Sequence, residues 1–473
     1  MNKVEVFVIM NRFIAYSNDE IIRDLKNNVP TGKVNTNQDF LQQAENDQYG
    51  VKLADGLPLA LIEAKTVKDI QGVLKTARKF HIPVVPRTTA TSTVSGSDAI
   101  ANSFILSTAK MNHIKEINRA DQVAVVEPGV INQDLDDEAR KFGLFYAPDP
   151  GSKKISSVGG NASTNAGGMS TVRYGATKDS VLGLKVVLAD GREIKVGTRT
   201  LKQAFGYNLT QLFVGSEGTL GIITEVTVRL FPIPLGDSIT GLAFFKDMKT
   251  LSTAVTEIRG SGAYPSMLEA LDADTVKALD KYEGTHYSDN AGAMLILRLD
   301  SSNDDMLNTT KEILAKRGGQ NLHLTTDPKE AAQITKLRQD MLPAVFANGQ
   351  HVMEDMAVPL SKLAEMMDYI KKVADQLHLE IYTAGHAGDG NVHPTIIWSK
   401  DIDGIPDEVQ KALQLMFRKA LKLGGTISGE HAVGMLKNQW NNEELGDDVD
   451  MIQHQIKALF DPMNILNPKR KIN

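Results

Sequence analysis

Cysteine is absent from the 473-residue chain, which narrows the classes of protein to consider. Without thiols the chain can form neither disulfide bonds nor a cysteine-ligated iron–sulfur cluster. No apolar run reaches the roughly 18 residues that a membrane-spanning helix needs. The sequence also lacks a basic block that would follow a nucleic-acid backbone, and its formal net charge is −6. We therefore expect no nucleic-acid partner and no transmembrane segment. A cytoplasmic location is expected, with peripheral attachment to a membrane as the alternative.

The composition is that of a folded protein, with 42% hydrophobic and 23% charged residues. The length predicts two or more domains. Near the amino terminus a short apolar patch is broken by Asn11 and Arg12, and it lacks the architecture of a signal peptide. A polar, helix-like pattern follows Met10. We therefore expect Met10 to be the natural start and residues 1–9 to be an upstream extension.

The first part of the chain reads as an α/β arrangement. Residues 1–50 predict a mainly helical segment, with the helical pattern starting at Met10. Apolar runs at 57–65 and 81–87 enclose a stretch, 67–80, whose apolar residues recur at helical spacing. This pattern predicts a strand–helix–strand unit. Prolines 232 and 234 indicate a linker, after which helical and strand patterns alternate in an α+β manner.

The most unusual stretch runs from Pro148 to Gly175 and is rich in glycine and small residues. Glycine allows a backbone to approach a ligand closely, and consecutive N–H groups at such turns form anion-binding concavities. The stretch therefore predicts a ligand with phosphates or a large flat ring. A flexible glycine–serine linker is the alternative. The apolar, strand-like runs on both sides argue against that alternative.

A histidine-containing hairpin is predicted at residues 385–393, which read GHAGDGNVH. Asp389-Gly390 is typical of a two-residue turn, and counting outward from it pairs His386 with His393. Directly opposed residues have Cβ atoms about 4.5–5.5 Å apart, which suits two imidazoles that bind one metal. Glu430 is the best third ligand, because two histidines and one carboxylate leave positions open for a substrate. Such ligands suit Zn or Mn, and also Fe. The alternative is that the histidines contact an organic ligand and bind no metal.

Several segments together resemble the vanillyl-alcohol oxidase / para-cresol methylhydroxylase superfamily. Within it, the chain is similar to the branch of D-lactate dehydrogenases, glycolate oxidase flavoprotein subunits and D-2-hydroxyglutarate dehydrogenases. The segments that carry the resemblance keep the family's order: 148–152, 158–168, 173–191, 213–226, 385–393, 425–434 and 460–468.

The resemblance implies an α+β fold in which a two-subdomain FAD-binding domain of the para-cresol methylhydroxylase type carries an α+β cap domain. We place the FAD-binding domain at 51–234 and the cap, or substrate, domain at 235–425. Residues 426–473 are expected to return to the FAD domain.

The same resemblance implies FAD as cofactor. In the loop after residue 86, Thr88, Thr89 and Ala90 stand where the family pattern has glycines. This loop has no histidine or cysteine, so we expect FAD to bind non-covalently. The implied cofactor-binding residues are Pro86, Arg87, Thr91, Ser92, Gly96, Pro148, Gly159, Gly160, Asn161, Ala166, Gly167, Gly168, Tyr174, Gly175, Glu217, Gly221, Ile222, Ile223 and Asn391.

For the chemistry, the resemblance implies that His386, His393 and Glu430 bind a divalent metal and that His431 is the base. Arg338 would grip a substrate carboxylate, and the alternative for Arg338 is an ordinary surface arginine. Glu269 and Asp355 stand in family-like contexts and are expected to support the site.

The expected activity is oxidation of a D-2-hydroxyacid, with D-lactate first and glycolate or D-2-hydroxyglutarate next. The sequence leaves the electron acceptor open between a quinone, an electron-transfer flavoprotein, an iron–sulfur subunit and oxygen. Two other functions are kept: a redox-neutral flavoenzyme of the alkylglycerone-phosphate synthase type, and a non-catalytic flavoprotein subunit. Ala432, where the family usually has glycine, is a departure inside the segment that carries His431.

Overall fold

The computed structural model describes residues 16–49, 51–290, 292–301, 303–402 and 404–472. The predicted start at Met10 therefore lies outside the described residues. Within these ranges, no helix combines the length and the apolar character that crossing a bilayer requires.

Helices and strands alternate along most of the described chain. The helices are α1 (Asn18–Asn28), α2 (Gln38–Gln43), α3 (Val67–Phe80), α4 (Asn132–Arg140), α5 (Val158–Thr164), α6 (Thr171–Tyr174), α7 (Thr177–Ser180), α8 (Leu209–Phe213), α9 (Met248–Gly260), α10 (Ala273–Glu283), α11 (Asp304–Lys316), α12 (Pro328–Phe346), α13 (Leu363–Leu377), α14 (Asp407–Lys422) and α15 (Asn441–Phe460). The strands are β1 (Lys33–Asn35), β2 (Ala60–Glu63), β3 (Val84–Arg87), β4 (Phe104–Ser107), β5 (Ile114–Asn118), β6 (Val123–Val126), β7 (Leu144–Phe145), β8 (Val181–Val187), β9 (Glu193–Gly197), β10 (Ile222–Arg229), β11 (Phe231–Pro232), β12 (Ile239–Phe245), β13 (Met267–Asp272), β14 (Ala293–Leu299), β15 (Gln320–Thr325), β16 (Gln350–Met353), β17 (Met356–Ala357), β18 (Glu380–His386) and β19 (Asn391–Trp398).

The first sheet has the order β1-β2-β4-β3, in which β2, β4 and β3 run parallel. Helix α3 connects β2 to β3, so the predicted strand–helix–strand unit is confirmed. Thr66 caps α3, and the buried Asp69 carboxylate completes a capping box. The prediction of a helical segment over residues 1–50 is wrong for Lys33–Asn35. That stretch forms a strand because it pairs antiparallel with β2, a partner that a local pattern does not reveal.

The second sheet is antiparallel, with the order β5-β6-β10-β8-β9. Its apolar face packs on α4, α5 and α8 around Leu135, Val158 and Phe213, each fully shielded from solvent. The glycine-rich stretch thus lies against a rigid sheet, and the structure excludes the flexible-linker interpretation.

The third and largest sheet has eight strands: seven follow the path β15-β12-β14-β13-β18-β19-β16, and the eighth, β17, pairs with β19 off this path. Helices cover both of its faces. Apolar residues of α9, α11, α13 and α14 pack on one face, and those of α10 and α12 pack on the other. Two cores of unequal size therefore hold β18 and β19 rigidly in the middle of the domain.

The carboxyl-terminal segment returns to the first sheet. Val84 of β3 donates its N–H to Ile465 (2.7 Å) and accepts from the N–H of Asn467 (2.8 Å). The buried Lys457 ammonium donates to the carbonyls of Thr219 (2.8 Å) and Leu466 (2.7 Å). These bonds join residues 457–467 to β3 and to the residues before β10.

Candidate active site

One cavity of about 560 Å³ lies between the first domain, which contains the first and second sheets, and the large third sheet. Four parts of the chain form it: the loop after β3, the glycine-rich stretch, the start of β10 with the residues before it, and the segment that carries Glu430 and His431. Part of α12 and the strand β16 close the remaining side. The sequence distances between these parts are large, so only the complete fold creates the cavity.

Most of the residues predicted to bind the cofactor line this cavity. They are Pro86, Arg87, Thr91, Ser92, Gly96, Gly159, Gly160, Asn161, Ala166, Gly167, Glu217, Gly221, Ile222 and Ile223. The structure does not bring the others to its wall: Pro148, Gly168, Tyr174, Gly175 and Asn391.

Tyr174 shows why a residue of the same motif lies elsewhere. Its hydroxyl donates to Asp300, and its ring packs edge-on against Phe145 and Phe231 with centroids 5.3 and 5.2 Å away. Gly175 is needed for space and backbone shape, because a Cβ there would come within 2.4 Å of Asp179 and φ is +82°. Both residues therefore support the glycine-rich stretch through contacts outside the cavity.

The cavity wall carries polar atoms that suit FAD. Asn161 Nδ2, Thr93 Oγ1, Asn467 Oδ1 and Arg87 Nε are buried without a hydrogen-bond partner among the described residues. Unpaired buried polar atoms are costly, so such a set on one wall indicates a polar ligand. At Gly167 a Cβ would lie only 2.2 Å from Glu430 Oε2. Glycine is therefore required where the cavity wall meets the segment that carries Glu430 and His431. The residues present fit the cofactor.

The loop after β3, in which Thr88, Thr89 and Ala90 stand in place of the expected glycines, is held by hydrogen bonds at both ends. Ala90 takes a left-handed conformation with φ of 54°, a region that disfavours residues with a Cβ. The Arg87 guanidinium donates to the carbonyls of Ala44 (2.7 Å) and Ser97, which ties the two ends of the loop together. Asn467 Nδ2 adds a bond to the Gly96 carbonyl (3.1 Å). Asn467 also lines the cavity. It was not among the predicted cofactor-binding residues, although it lies in segment 460–468, which carries part of the family resemblance.

The predicted register of the histidine hairpin is wrong. His386 pairs with Asn391 and His393 pairs with Ala384, so residues 387–390 form a four-residue loop. Gly388 leaves the ladder because its N–H donates to the Leu268 carbonyl (3.2 Å). The two histidines are diagonal neighbours on one face, with ring centroids 5.1 Å apart.

His386, His393 and Glu430 converge, as the sequence predicts. One ligand atom from each lies within 4.8 Å of the others. Glu430 Oε1 lies 3.0 Å from His386 Nε2 and 3.3 Å from His393 Nε2. Two imidazole nitrogens and a carboxylate oxygen suit Zn, Mn or Fe. The residues therefore fit a divalent metal.

A second group of three potential ligands shares His393 with the first: Asp355, His393 and His431. In this group the rings of His431 and His393 stack, with centroids 4.9 Å apart and an interplanar angle of 17°. The Asp355 carboxylate accepts from the backbone N–H groups of Glu430 (2.8 Å) and His431 (2.7 Å). Asp355 thus fixes the backbone of the segment that carries Glu430 and His431.

Glu269 lies behind the site and is completely buried. Its carboxylate accepts from Arg338 Nε (2.6 Å) and faces His386 Nδ1 (2.7 Å). Hydrogen bonding of the outer nitrogen is the usual way in which a metal-binding histidine is oriented. Arg338 is buried and does not line the cavity, so the surface-arginine alternative is wrong.

Glu217 also plays a part that its motif does not reveal. Although it lines the cavity, its carboxylate accepts from the N–H groups of Val433 (2.9 Å) and Gly434 (2.8 Å). The Glu217 carboxylate thereby joins the first domain to the segment that carries Glu430 and His431. Ala432, next to these residues, takes a left-handed conformation with φ of 72°, where glycine would be unstrained.

Burial and neighbouring charges set the protonation of the site. Burial lowers the pKa of His431 to about 4, despite the attraction of Asp355. Burial alone would raise the pKa of Asp355, but His431 and Lys437 lower it to about 2. Burial likewise opposes charge on Glu430, but His386 and His393 hold its pKa well below the ordinary value. His431 is therefore neutral near pH 7 and able to accept a proton.

Comparisons with known proteins agree with this fold. The p-cresol methylhydroxylase structure with substrate bound superposes with a TM-score of 0.77 at 20% identity and covers 96% of this chain and 97% of that one. An alkyldihydroxyacetonephosphate synthase gives 0.73 at 18% identity, covering 95% and 86%. At these identities the likeness shows the fold alone, which is the two-domain FAD-binding fold of the p-cresol methylhydroxylase type.

Sequence comparisons define the family. Residues 58–197 match the FAD binding domain, and residues 237–470 match the C-terminal domain of FAD linked oxidases. The glycolate oxidase subunit GlcD of Bacillus subtilis (strain 168) is 36% identical over 416 residues, covering 87% of this chain and 88% of that protein. The D-lactate dehydrogenase of Anaerostipes hadrus is 33% identical over 427 residues, covering 87% and 89%. The chain therefore belongs to the FAD-linked oxidases.

Proposed function

We propose that this FAD-linked oxidase converts a D-2-hydroxyacid, with D-lactate as the first substrate to test, into the 2-oxo acid. The observation that carries the proposal is the convergence of His431 and Glu430, which line the cofactor cavity, with His386 and His393, which lie outside its lining. The names of the relatives, D-lactate dehydrogenase and glycolate oxidase subunit, support this reaction class. Glycolate and D-2-hydroxyglutarate are the next substrates.

His431 is the proposed base. It is neutral near pH 7 because burial lowers its pKa to about 4, and its Nδ1 is buried without a hydrogen-bond partner among the described residues. It would take the proton of the substrate hydroxyl as the Cα–H bond breaks. FAD, when bound, supplies the acceptor for the hydride that leaves Cα.

His386, His393 and Glu430 are the proposed ligands of a divalent cation, Zn or Mn, with Fe as a further choice. Such a cation, when bound, acts as a Lewis acid toward substrate oxygens. Glu269 fixes the outer nitrogen of His386 so that the inner nitrogen faces Glu430. The chain's own contribution is therefore a preoriented ligand set next to the base.

Arg338 is proposed to hold the substrate carboxylate, although its buried side chain lies outside the lining of the cavity described above. Its Nε is engaged by Glu269, whereas no hydrogen bond to its two terminal nitrogens occurs within the described residues. A guanidinium with two free nitrogens can pair with a carboxylate in bidentate fashion. The buried Glu269 restricts the motion of Arg338 and so orients the pair.

The test is the visible absorption of the purified protein under anaerobic conditions before and after adding D-lactate or L-lactate. We expect a yellow protein that bleaches with D-lactate and not with L-lactate. Acid precipitation should release the flavin, since its binding is proposed to be non-covalent. A chelator should slow bleaching if the metal takes part. A yellow protein that no D-2-hydroxyacid bleaches would overturn the proposal and favour the redox-neutral or the non-catalytic alternative.

The electron acceptor is proposed to be a quinone, an electron-transfer flavoprotein or an iron–sulfur subunit. Reoxidation of the bleached flavin by each of these in turn distinguishes them, and rapid reoxidation by oxygen alone would contradict all three.

A further inference from the structure

We propose that the preferred substrates are 2-hydroxy monocarboxylic acids with an uncharged, apolar side chain larger than a methyl group, and that a wall formed by α12 and β16 selects them. This inference rests on the proposed function and names the substrate class for the same site.

The wall is built from two elements of the large-sheet domain. Helix α12 contributes Leu342 and Phe346, one helical turn apart on one face. Strand β16 contributes His351 and Met353, which are two residues apart and therefore point to the same side of the strand. These four residues are called the α12–β16 wall below.

The rings of Phe346 and His351 form a rigid plate within the α12–β16 wall. Their centroids are 3.6 Å apart and their planes differ by 9°. Both side chains are half-buried, so part of the plate faces the cavity. Burial lowers the pKa of His351, which keeps the imidazole neutral near pH 7. A flat, neutral surface of this kind suits an apolar or aromatic group.

The wall adjoins the catalytic residues. Met353 pairs with Thr395, two residues after His393 on β19. The next residue, Glu354, accepts at its carbonyl from His393 Nδ1 (3.3 Å). Arg338 lies one turn before Leu342 on α12. A substrate whose hydroxyl is near His431 would therefore extend its side chain along this wall, since His431 and the four wall residues line the same cavity.

The charges around the cavity argue against a second carboxylate on the substrate. The α12–β16 wall contains neither lysine nor arginine. Among the described residues that line the cavity, the cations are Arg87 and Lys154. Arg87 is committed to backbone carbonyls next to Asp47, and Lys154 is exposed in the loop after Pro150. A buried carboxylate without a cation partner is costly, so a dicarboxylate such as D-2-hydroxyglutarate is disfavoured.

The experiment is stopped-flow reduction of the flavin in the holoenzyme by D-lactate, D-2-hydroxyisocaproate, D-phenyllactate and D-2-hydroxyglutarate. The measured quantity is the reduction rate constant divided by the dissociation constant. We expect either of the two bulky apolar acids to exceed D-lactate at least tenfold, since each additional methylene in an apolar pocket contributes a factor of about 10 or more. D-2-hydroxyglutarate should be the poorest of the four.

Two variants examine the wall itself. Phe346→Ala should lower the ratio of D-2-hydroxyisocaproate to D-lactate about tenfold or more. Leu342→Arg should raise the ratio of D-2-hydroxyglutarate to D-2-hydroxyisocaproate, since it adds a cation to the wall. The matched control is Phe205→Ala, because Phe205 is 94% exposed on a remote loop, and both ratios should stay unchanged.

The outcomes separate the two proposals. If D-2-hydroxyglutarate or D-lactate is the best substrate in the unmodified protein, the side-chain inference is overturned while the proposed function stands. If none of the four acids reduces the flavin, both fall. Unaltered ratios in a folded, yellow Phe346→Ala protein would also overturn the assignment of the wall.

Discussion

At the scale of single residues, the proposed chemistry depends on a histidine that is neutral because it is buried. His431 has a pKa of about 4, and Asp355 fixes its backbone. We expect His431→Asn to keep its flavin and to reduce it at least 100-fold more slowly, which is the usual loss when a positioned base is removed. Anaerobic stopped-flow absorbance measures this rate. A near-normal rate in the yellow variant would refute the assignment, and His113→Asn on the exposed surface is the control.

Glu269 joins the two halves of the proposed site, since one carboxylate serves both Arg338 and His386. In Glu269→Gln the neutral amide holds both partners less firmly. We expect metal affinity to fall about 10- to 100-fold, as is typical when a residue behind a metal ligand is lost. Titration of the bound metal with a chelator measures the metal affinity. We also expect KM to rise, which steady-state kinetics measures. The control is Glu443→Gln, whose carboxylate pairs with Arg418 on the surface. A Glu269→Gln protein with unchanged metal affinity and KM would mean that Glu269 only fills space.

At the scale of elements, the glycine-rich stretch is a spacer between two domains as much as a cofactor cradle. Gly167 is close enough to Glu430 that a Cβ would lie 2.2 Å from its carboxylate, whereas a Cβ at Gly151 would meet no atom within 4 Å. We expect Gly167→Ala to displace Glu430 and to weaken metal binding at least tenfold, because the loop between α5 and α6 and the Glu430 carboxylate cannot both keep their places. Gly151→Ala should bind metal normally. Equal metal affinity in the two variants would contradict the proposed ligand set.

The amino-terminal end of α3 is expected to lose stability in acid, because it depends on the Asp69 carboxylate. The Asp69 carboxylate accepts from the Thr31 (2.8 Å), Gly32 (2.9 Å) and Thr66 (3.0 Å) N–H groups. Burial opposes its charge, but hydrogen bonds from the Thr31 hydroxyl and from the N–H groups of Thr31, Lys65 and Gly32 lower its pKa to about 2. A depressed folded-state pKa contributes stability that is present above the unfolded pKa and is lost as the pH falls through the folded pKa.

We therefore expect Asp69→Asn to lower the free energy of unfolding by roughly 2 kcal/mol at pH 7. The free energy of unfolding should also decrease less between about pH 4 and pH 2 in this variant than in the unmodified protein. Urea unfolding at several pH values measures both effects. Asp448→Asn on the exposed face of α15 is the control, and an equal effect of the two substitutions would contradict the role of Asp69.

The hairpin shows where local sequence signals are sufficient and where they fail. Counting outward from the turn placed His386 and His393 directly opposite each other on one face, and the structure brings them together as diagonal neighbours on that face. The turn signal at Asp389-Gly390 gave the wrong register, because Gly388 donates to Leu268 and a Cβ there would lie 2.5 Å from Val172. Such contacts come from distant parts of the chain. For the same reason the sequence did not reveal the roles of Glu217 and Asn467.

At the scale of the whole molecule, the cofactor cavity is completed from both ends of the chain. Asn467 donates to the carbonyls of Gly96 (3.1 Å) and Glu217 (2.7 Å), and so joins two cavity loops. We expect Asn467→Ala to lower FAD affinity about tenfold, since two buried carbonyls lose their partner. Flavin fluorescence during reconstitution of the apoprotein measures this. Asn442→Ala, at an exposed position of α15, should bind FAD normally. An Asn467→Ala protein with unaltered affinity would show that the loops hold themselves in place.

The return of residues 465–467 to β3 also has a consequence for biosynthesis. The Gly96 carbonyl and its Asn467 partner are 371 positions apart, so the early loop must emerge from the ribosome long before its support exists. Domains generally fold from the amino-terminal end during synthesis, at about 5–20 residues per second. At that pace the amino-terminal domain would wait on the order of half a minute for its last contact. The flavin is therefore expected to enter a nearly complete polypeptide rather than a nascent one.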